Sequence, residues 1–256
     1  MEAVPHGTSR ATVTRLPGGD VEGDRLAVEE PLEIRVDGTA VAVTMRTPGH
    51  DEELALGFCL TEGLQPAAAH PSADLAANVV EVDAPGADLA KVQRSFYTSS
   101  SCGVCGKGAI EQVAVDAPAA TPGPAVSRAL LAALPEHLRQ PAFELTGGLH
   151  ATGLFDADGR AIIAREDVGR HNAMDKVIGR ALLDGLVPLS DLILVVSGRV
   201  AFELVQKAGV AGCPVLVGVG APTSLAIELA TDRGITLAGF ARSGSVNVYS
   251  GTERVV

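Results

Sequence analysis

The sequence contains no tryptophan, and all aromatic residues together make up only 3% of it. An aromatic-rich β-sandwich is therefore disfavoured, and an interior built from Ala, Val, Leu and Ile points to close-packed α/β layers. Positive charge is also in short supply. The chain carries 20 Lys and Arg against 31 Asp and Glu, a formal net charge of −11. Such a balance repels nucleic acid and anionic lipid at long range, although it leaves room for a local anion pocket. No apolar run approaches the ~18 residues of a membrane span. The stretch from Met1 to Leu16 lacks the apolar centre of a secretory signal. A cytosolic protein is expected, with neither nucleic acid nor membrane as partner. Cysteine is scarce: of four, Cys59 and Cys213 stand alone in apolar segments and Cys102 and Cys105 form a pair. That is no framework for a disulfide-stapled secreted domain, and in a reducing compartment paired thiols do chemistry.

At 256 residues the chain allows one large domain or two modest ones. Residues 1–22 mix Gly, Pro, Thr and charge without periodicity and read as a loosely held arm. Residues 32–36 and 41–45 alternate in period two about Asp37-Gly38, which predicts a β-hairpin with a type I′ turn. Residues 51–60 start with Asp51, Glu52 and Glu53 and stop before Gly63, the pattern of a helix with Leu54, Phe58 and Cys59 facing inward. Strands are expected at 78–82 and 89–97, then the polar run Thr98 to Ser101. A Pro/Ala/Gly stretch between Asp116 and Ser127 marks a domain boundary, and a helix follows at 128–139. Beyond residue 150, a hairpin (151–155 and 161–164) precedes buried-type strands at 192–196, 215–219 and 236–240, separated by helix-length segments. Crossovers of that length imply a partly parallel sheet covered by helices. The expected organisation is an arm over 1–22, a smaller α/β domain over 23–116, and a larger domain over 127–256.

In Ser101-Cys102-Gly103-Val104-Cys105-Gly106-Lys107-Gly108, glycines let the backbone bend around two thiols. Residues 109–115 can continue as helix, so backbone N–H groups and Lys107 would favour the nucleophilic thiolate. Half of a structural zinc site would need two further ligands, and no second pair exists. A thioredoxin-like dithiol sits in a βαβ unit with bulkier residues between its cysteines. A zinc deaminase would use His50, Cys102 and Cys105 as ligands and Glu52 as acid/base, yet no proline precedes Cys102 and the separation is long.

The loop, together with Glu166-Asp167-Val168-Gly169-Arg170-His171-Asn172-Ala173-Met174-Asp175-Lys176, resembles the formate dehydrogenase accessory sulfurtransferase family (FdhD). Thr47-Pro48-Gly49, Ser197-Gly198-Arg199, the segment 221–226 and Gly239-Phe240-Ala241-Arg242 are similar to family segments as well, so the likeness covers roughly residues 25–250. The resemblance implies a cytidine deaminase-like three-layer α/β domain with a mixed sheet, joined to a smaller N-terminal α/β domain. It implies a homodimeric sulfur carrier. A cysteine desulfurase would load Cys102 as a persulfide, with Cys105 assisting or resolving. The sulfur would then pass to the molybdenum cofactor, in its bis-molybdopterin guanine dinucleotide form, for formate dehydrogenase. No resident metal is implied. The alternatives to a carrier are the zinc-dependent nucleobase deaminase above and a non-catalytic chaperone that merely holds and inserts the cofactor.

A guanine dinucleotide brings pyrophosphate, which calls for backbone N–H groups and a few cations beside strand ends. Ser197-Gly198-Arg199 follows a predicted strand and opens a helix, and Thr223 or Ser224 can cap the next helix. Each is equally ordinary loop or cap chemistry when taken singly. By resemblance, Phe240, Ala241, Arg242, Ser243, Gly244 and Ser245 contact the cofactor, with Phe240 able to stack and Arg242 able to meet phosphate or guanine. For Arg170 and His171, structural support and ligand contact weigh evenly.

Overall fold

The computed structural model describes residues 7–72, 78–89 and 119–256. The cysteine loop, the strand expected at 89–97 and the helix expected at 109–115 lie outside the described residues, apart from Leu89. Residues read as an unpatterned arm contain β1 (Thr8–Arg15), which pairs antiparallel with β2 (Asp20–Ala27) as a separate ribbon. Most of its side chains are exposed or half-buried, so backbone hydrogen bonds rather than apolar alternation define it.

The smaller sheet has the order β4-β3-β6-β5, formed by β3 (Glu30–Val36), β4 (Thr39–Arg46), β5 (Ala68–Pro71) and β6 (Val79–Asp83). Asp37 and Gly38 take φ values of 47° and 79° between β3 and β4, as the type I′ turn requires. The helix α1 (Asp51–Thr61) lays Leu54, Ala55 and Cys59 onto Leu32, Ile34, Val36, Val80 and Val82.

The larger unit is a six-stranded sheet of order β12-β11-β10-β9-β7-β8. Its elements are α2 (Arg128–His137), α3 (Pro141–Thr146), β7 (His150–Phe155), β8 (Ala161–Asp167), α4 (Arg170–Leu183), β9 (Ile193–Val196), α5 (Phe202–Val210), β10 (Val215–Gly218), α6 (Ser224–Arg233), β11 (Thr236–Arg242) and β12 (Ser245–Ser250). Strands β9, β10 and β11 run parallel, while β12 and β7 are antiparallel to their neighbours. The all-apolar strand β9 splits its residues between two cores. Ile193 and Val195 meet Leu131 and Leu134 of α2 on one face. Leu194 and Val196 join Met174, Val177 and Ile178 of α4, Leu204 and Val205 of α5 and Ala226 of α6 on the other. The result is three layers, helix on sheet on helices. The described part of the Pro/Ala/Gly stretch follows the carboxy-terminal tail: Val126 bridges Val255, and Arg254 donates to the carbonyls of Thr121 and Pro122. Among the described residues, no helix is long and apolar enough to cross a membrane.

The two sheets meet where α1 crosses α4. A Cβ on Gly57 would lie 1.9 Å from the Asp175 carbonyl oxygen, and one on Gly179 would lie 1.8 Å from that of Glu53. Only glycine permits this backbone approach. Beside the crossing, Lys207 donates to Asp175 (2.8 and 2.9 Å) and to the Thr61 hydroxyl (2.8 Å), a buried pair with its charges matched. Arg165 of β8 grips Glu53 through two hydrogen bonds of 2.6 and 2.8 Å. Burial opposes ionisation of Glu53, but hydrogen bonds from His50 and Arg165 and the guanidinium charge outweigh it and hold its carboxyl at about 2.

Candidate functional site

Because β8, β9, β10 and β11 share one direction, their carboxyl ends open on the same edge of the sheet. In open α/β sheets this edge is where ligands bind, since helix amino-termini and turn amides gather there. Here the turns after β9, β10 and β11 are tied into one rim. Gly220 N–H donates to the Gly198 carbonyl (3.0 Å), Val200 to Ala221 (3.1 Å), Thr223 to Val200 (3.0 Å) and Phe240 to Gly220 (3.1 Å). The approach is close enough that a Cβ on Gly220 would sit 3.0 Å from Arg199 backbone atoms.

The structure brings the predicted turns together and sorts their roles. The Ser197 hydroxyl accepts from Ala151 N–H (2.9 Å), closing the end of β7 against β9. Thr223 caps α6 by accepting from Ala226 N–H. The helix after Ser197-Gly198-Arg199 starts at Phe202, three residues later than a direct opening would place it. Arg199 is exposed and makes no hydrogen bond or ion pair among the described residues.

Phe240 interrupts the pairing of β11 with β12. The register shifts between Gly239 and Arg242, and Phe240 takes φ 53°, a left-handed value that a bulky side chain rarely adopts. The bulge keeps its ring 38% exposed at the rim instead of buried. Strain of this kind persists where surrounding structure enforces it, and it clusters at ligand sites. Ala241 points the opposite way into the core under α2, which leaves only its backbone available to a ligand. Arg242 and Ser245 pair around an exposed turn at Ser243 (φ 49°) and Gly244 (φ 74°).

The long segment 166–176 divides between support and rim. Glu166 accepts the N–H groups of Ala142 and Phe143 at the start of α3. Asp167, fully buried, accepts from Thr47 N–H (3.1 Å), Gly169 N–H (2.8 Å) and Asn172 (3.1 Å) and pairs with Lys176 (2.7 Å). Lys176 also donates to the Thr47 carbonyl (2.8 Å), and Asn172 to that of Met45 (2.7 Å). These residues clasp the end of β4 onto the larger unit. Arg170 and His171 face the rim instead. His171 Nε2 lies 3.9 Å from a Glu203 carboxylate oxygen, and burial, then the charges of Lys207, Arg170 and His150, depress its imidazole to about 3. It is neutral at physiological pH. His150, at the first position of β7, is likewise lowered by burial and by Arg170, against an opposing pull from Asp167.

His150 and Glu203 did not stand out in the sequence. The hairpin read from 151 stops one residue short of the register that sets His150 opposite Asp167. Glu203 emerges only once α4 and α5 are side by side. Cys102 and Cys105 lie outside the described residues. The other two cysteines, Cys59 and Cys213, are buried, and burial pushes both thiols up to about 12. They are inert as nucleophiles. His50 of the deaminase reading precedes α1 with φ 59° and points Nδ1 toward Glu53 at 3.4 Å.

Residues 27–256 match the FdhD/NarQ family. The chain is 48% identical over 269 aligned residues to the sulfur carrier protein FdhD of Streptomyces coelicolor, covering 97% of this chain and 95% of that one. It is 49% identical to the protein of the same name from Mycolicibacterium paratuberculosis, covering 97% and 98%. A crystal structure from Desulfotalea psychrophila, described as that of a formate dehydrogenase accessory protein, superposes with a TM-score of 0.75 at 26% identity, covering 97% of this chain and 98% of that one. With its fold, its clasp and its rim accounted for residue by residue, this chain belongs to the FdhD/NarQ family.

Proposed function

We propose that the protein is a sulfur carrier that serves formate dehydrogenase. The observation that carries this reading is near full-length identity of 48–49% to two proteins named as sulfur carriers. The chemistry of the chain agrees with it. Cys59 and Cys213 are chemically silent, so thiol reactivity falls to the glycine-flanked pair Cys102 and Cys105. In the loading step, the Cys102 thiolate attacks the outer sulfur of a persulfide on a cysteine desulfurase. The donor S–S bond breaks, the donor leaves as thiolate, and Cys102 retains a persulfide; no net oxidation occurs. Cys105 assists or resolves by attack on the same sulfur.

The recipient in this reading is the bis-molybdopterin guanine dinucleotide form of the molybdenum cofactor, held as cargo by a homodimer in the cytoplasm. The crevice suits such cargo. The strained Phe240 offers an aromatic face, Arg242 an exposed guanidinium, and Ser243, Gly244 and Ser245 an exposed backbone turn.

Incubation of the protein with a cysteine desulfurase and cysteine, followed by intact mass measurement, tests the carrier role. A gain of sulfur that a reductant removes, and that Cys102→Ala with Cys105→Ala abolishes, is expected. No gain on the natural sequence, or an undiminished gain on the double variant, refutes it. A strain carrying that double variant should lose formate dehydrogenase activity, whereas a purely cofactor-holding chaperone would preserve it.

A further inference from the structure

The short helix α3 buries none of its side chains, and its Phe143 and Leu145 are 40% and 45% exposed. A helix without a buried face draws little stability from a core, so polar contacts must hold it. Pro141 presets the first turn, Glu166 accepts the N–H groups of Ala142 and Phe143 at 3.0 and 2.7 Å, and Gly147 closes the other end in a left-handed conformation. Both anchors stand at the carboxyl edge of the parallel strands. Glu166 is the penultimate residue of β8, and Gly147 leads through Gly148 and Leu149 into His150, the first residue of β7.

The β1–β2 ribbon is rooted on the same side. Its strand β2 packs against α3. A Cβ on Gly148 would lie 3.4 Å from the Ala27 Cβ at the end of β2, and one on Gly7, just before β1, would lie 2.7 Å from the Thr47 methyl group in the clasp. Leu26, beside Ala27, is 48% exposed. Large apolar side chains gathered in the open beside a ligand crevice mark a protein-binding surface.

The charges around it select the occupant. Glu144 is exposed between Phe143 and Leu145, and Glu29 is exposed just beyond the ribbon. Asp20, Glu22 and Asp24 share the Leu26 face of β2 by the two-residue period, with Arg15 as the counter-charge to Glu22 and Asp24. A twofold contact with a second copy would join identical acidic patches, on a chain whose net charge is −11. A partner with apolar sockets rimmed by lysine and arginine is complementary.

We propose that α3 and the root of the ribbon form the docking surface for the enzyme that receives the cargo. Phe143, Leu145 and Leu26 enter apolar sockets on that enzyme, inside a ring of its basic residues. This rests on the carrier reading given above, in which cargo leaves from the crevice. A docking surface that borders the crevice lets the recipient take the cargo without its release into solvent.

Biolayer interferometry of the full chain against purified, cofactor-free formate dehydrogenase tests the assignment. Binding should be measurable and should weaken as salt is raised. Phe143→Asp and Leu145→Asp should each lower affinity about tenfold or more, and Glu144→Lys should lower it and flatten the salt dependence. Melting temperature and persulfide loading from a cysteine desulfurase should match the parent, because these side chains are exposed and take no part in loading. Affinity within about twofold of the parent in all three variants overturns the proposal. So does a parent that loads sulfur but binds no enzyme at any salt concentration. A loss of affinity in variants whose oligomeric state has changed by light scattering also overturns it, and assigns the surface to a contact between copies. A parent that takes up no sulfur but binds the enzyme through Phe143 removes the carrier reading and leaves the docking surface standing. One that neither loads nor binds removes both.

Discussion

At the scale of single residues, the rim departs from ordinary behaviour at His171. An imidazole held at about 3 in the fold returns to 6.5 when the chain unfolds. The folded state then binds fewer protons than the unfolded state between those limits. Its stabilising contribution is complete above pH 6.5 and is lost as pH falls toward 3. His171→Asn removes this linkage, so its stability should decline less steeply than the parent's between pH 6.5 and 3, as measured by urea unfolding at a series of pH values. An identical slope in the two proteins would mean that His171 titrates normally.

At the scale of elements, the crossing of α1 over α4 offers a sign test. Alanine in place of glycine inside a helix ordinarily stabilises it by about 1 kcal/mol. At Gly57 and Gly179 a methyl group meets a carbonyl oxygen of the opposing helix at under 2 Å, and backbone cannot swing aside as a side chain can. Gly57→Ala and Gly179→Ala should each destabilise by about 1–3 kcal/mol through forced separation of the helices, read from chemical denaturation midpoints. The sequence made the elements legible wherever local chemistry decides them. Asp37-Gly38 announced its hairpin, Thr223 its cap, and the apolar runs at 193–196 and 215–218 their buried parallel strands. It concealed β1 and β2, whose pairing depends on main-chain bonds along mostly polar faces. It also concealed the purpose of Gly57 and Gly179, because a close crossing of two helices 120 residues apart leaves no local mark. The rim was legible as a set of separate turns. That His150 comes to lie beside Gly198 and within reach of the Arg170 charge depends on strand order, which spacing along the chain does not fix.

At the scale of the whole molecule, the clasp around Asp167 makes two sheets behave as one. Lys176 and Asp167 are 1% and 0% exposed at the side chain, and between them they hold both the N–H and the carbonyl of Thr47. Asn172 holds Met45, and α1 brings the hydrophobic floor of the smaller sheet against α4. A chain built this way should unfold in a single cooperative transition, with amides of β3 and β6 as protected from exchange as those of β9 and β10. Lys176→Ala leaves the Asp167 carboxylate buried without its counter-charge, a change that costs about 3–5 kcal/mol. The loss falls at the joint rather than within either core. Hydrogen exchange of that variant should therefore show amides of Leu32, Ile34 and Val80 opening well before those of Leu194 and Leu216, whereas the parent opens them together. Uniformly faster exchange across both sheets would mean that the smaller sheet has no stability of its own to lose separately.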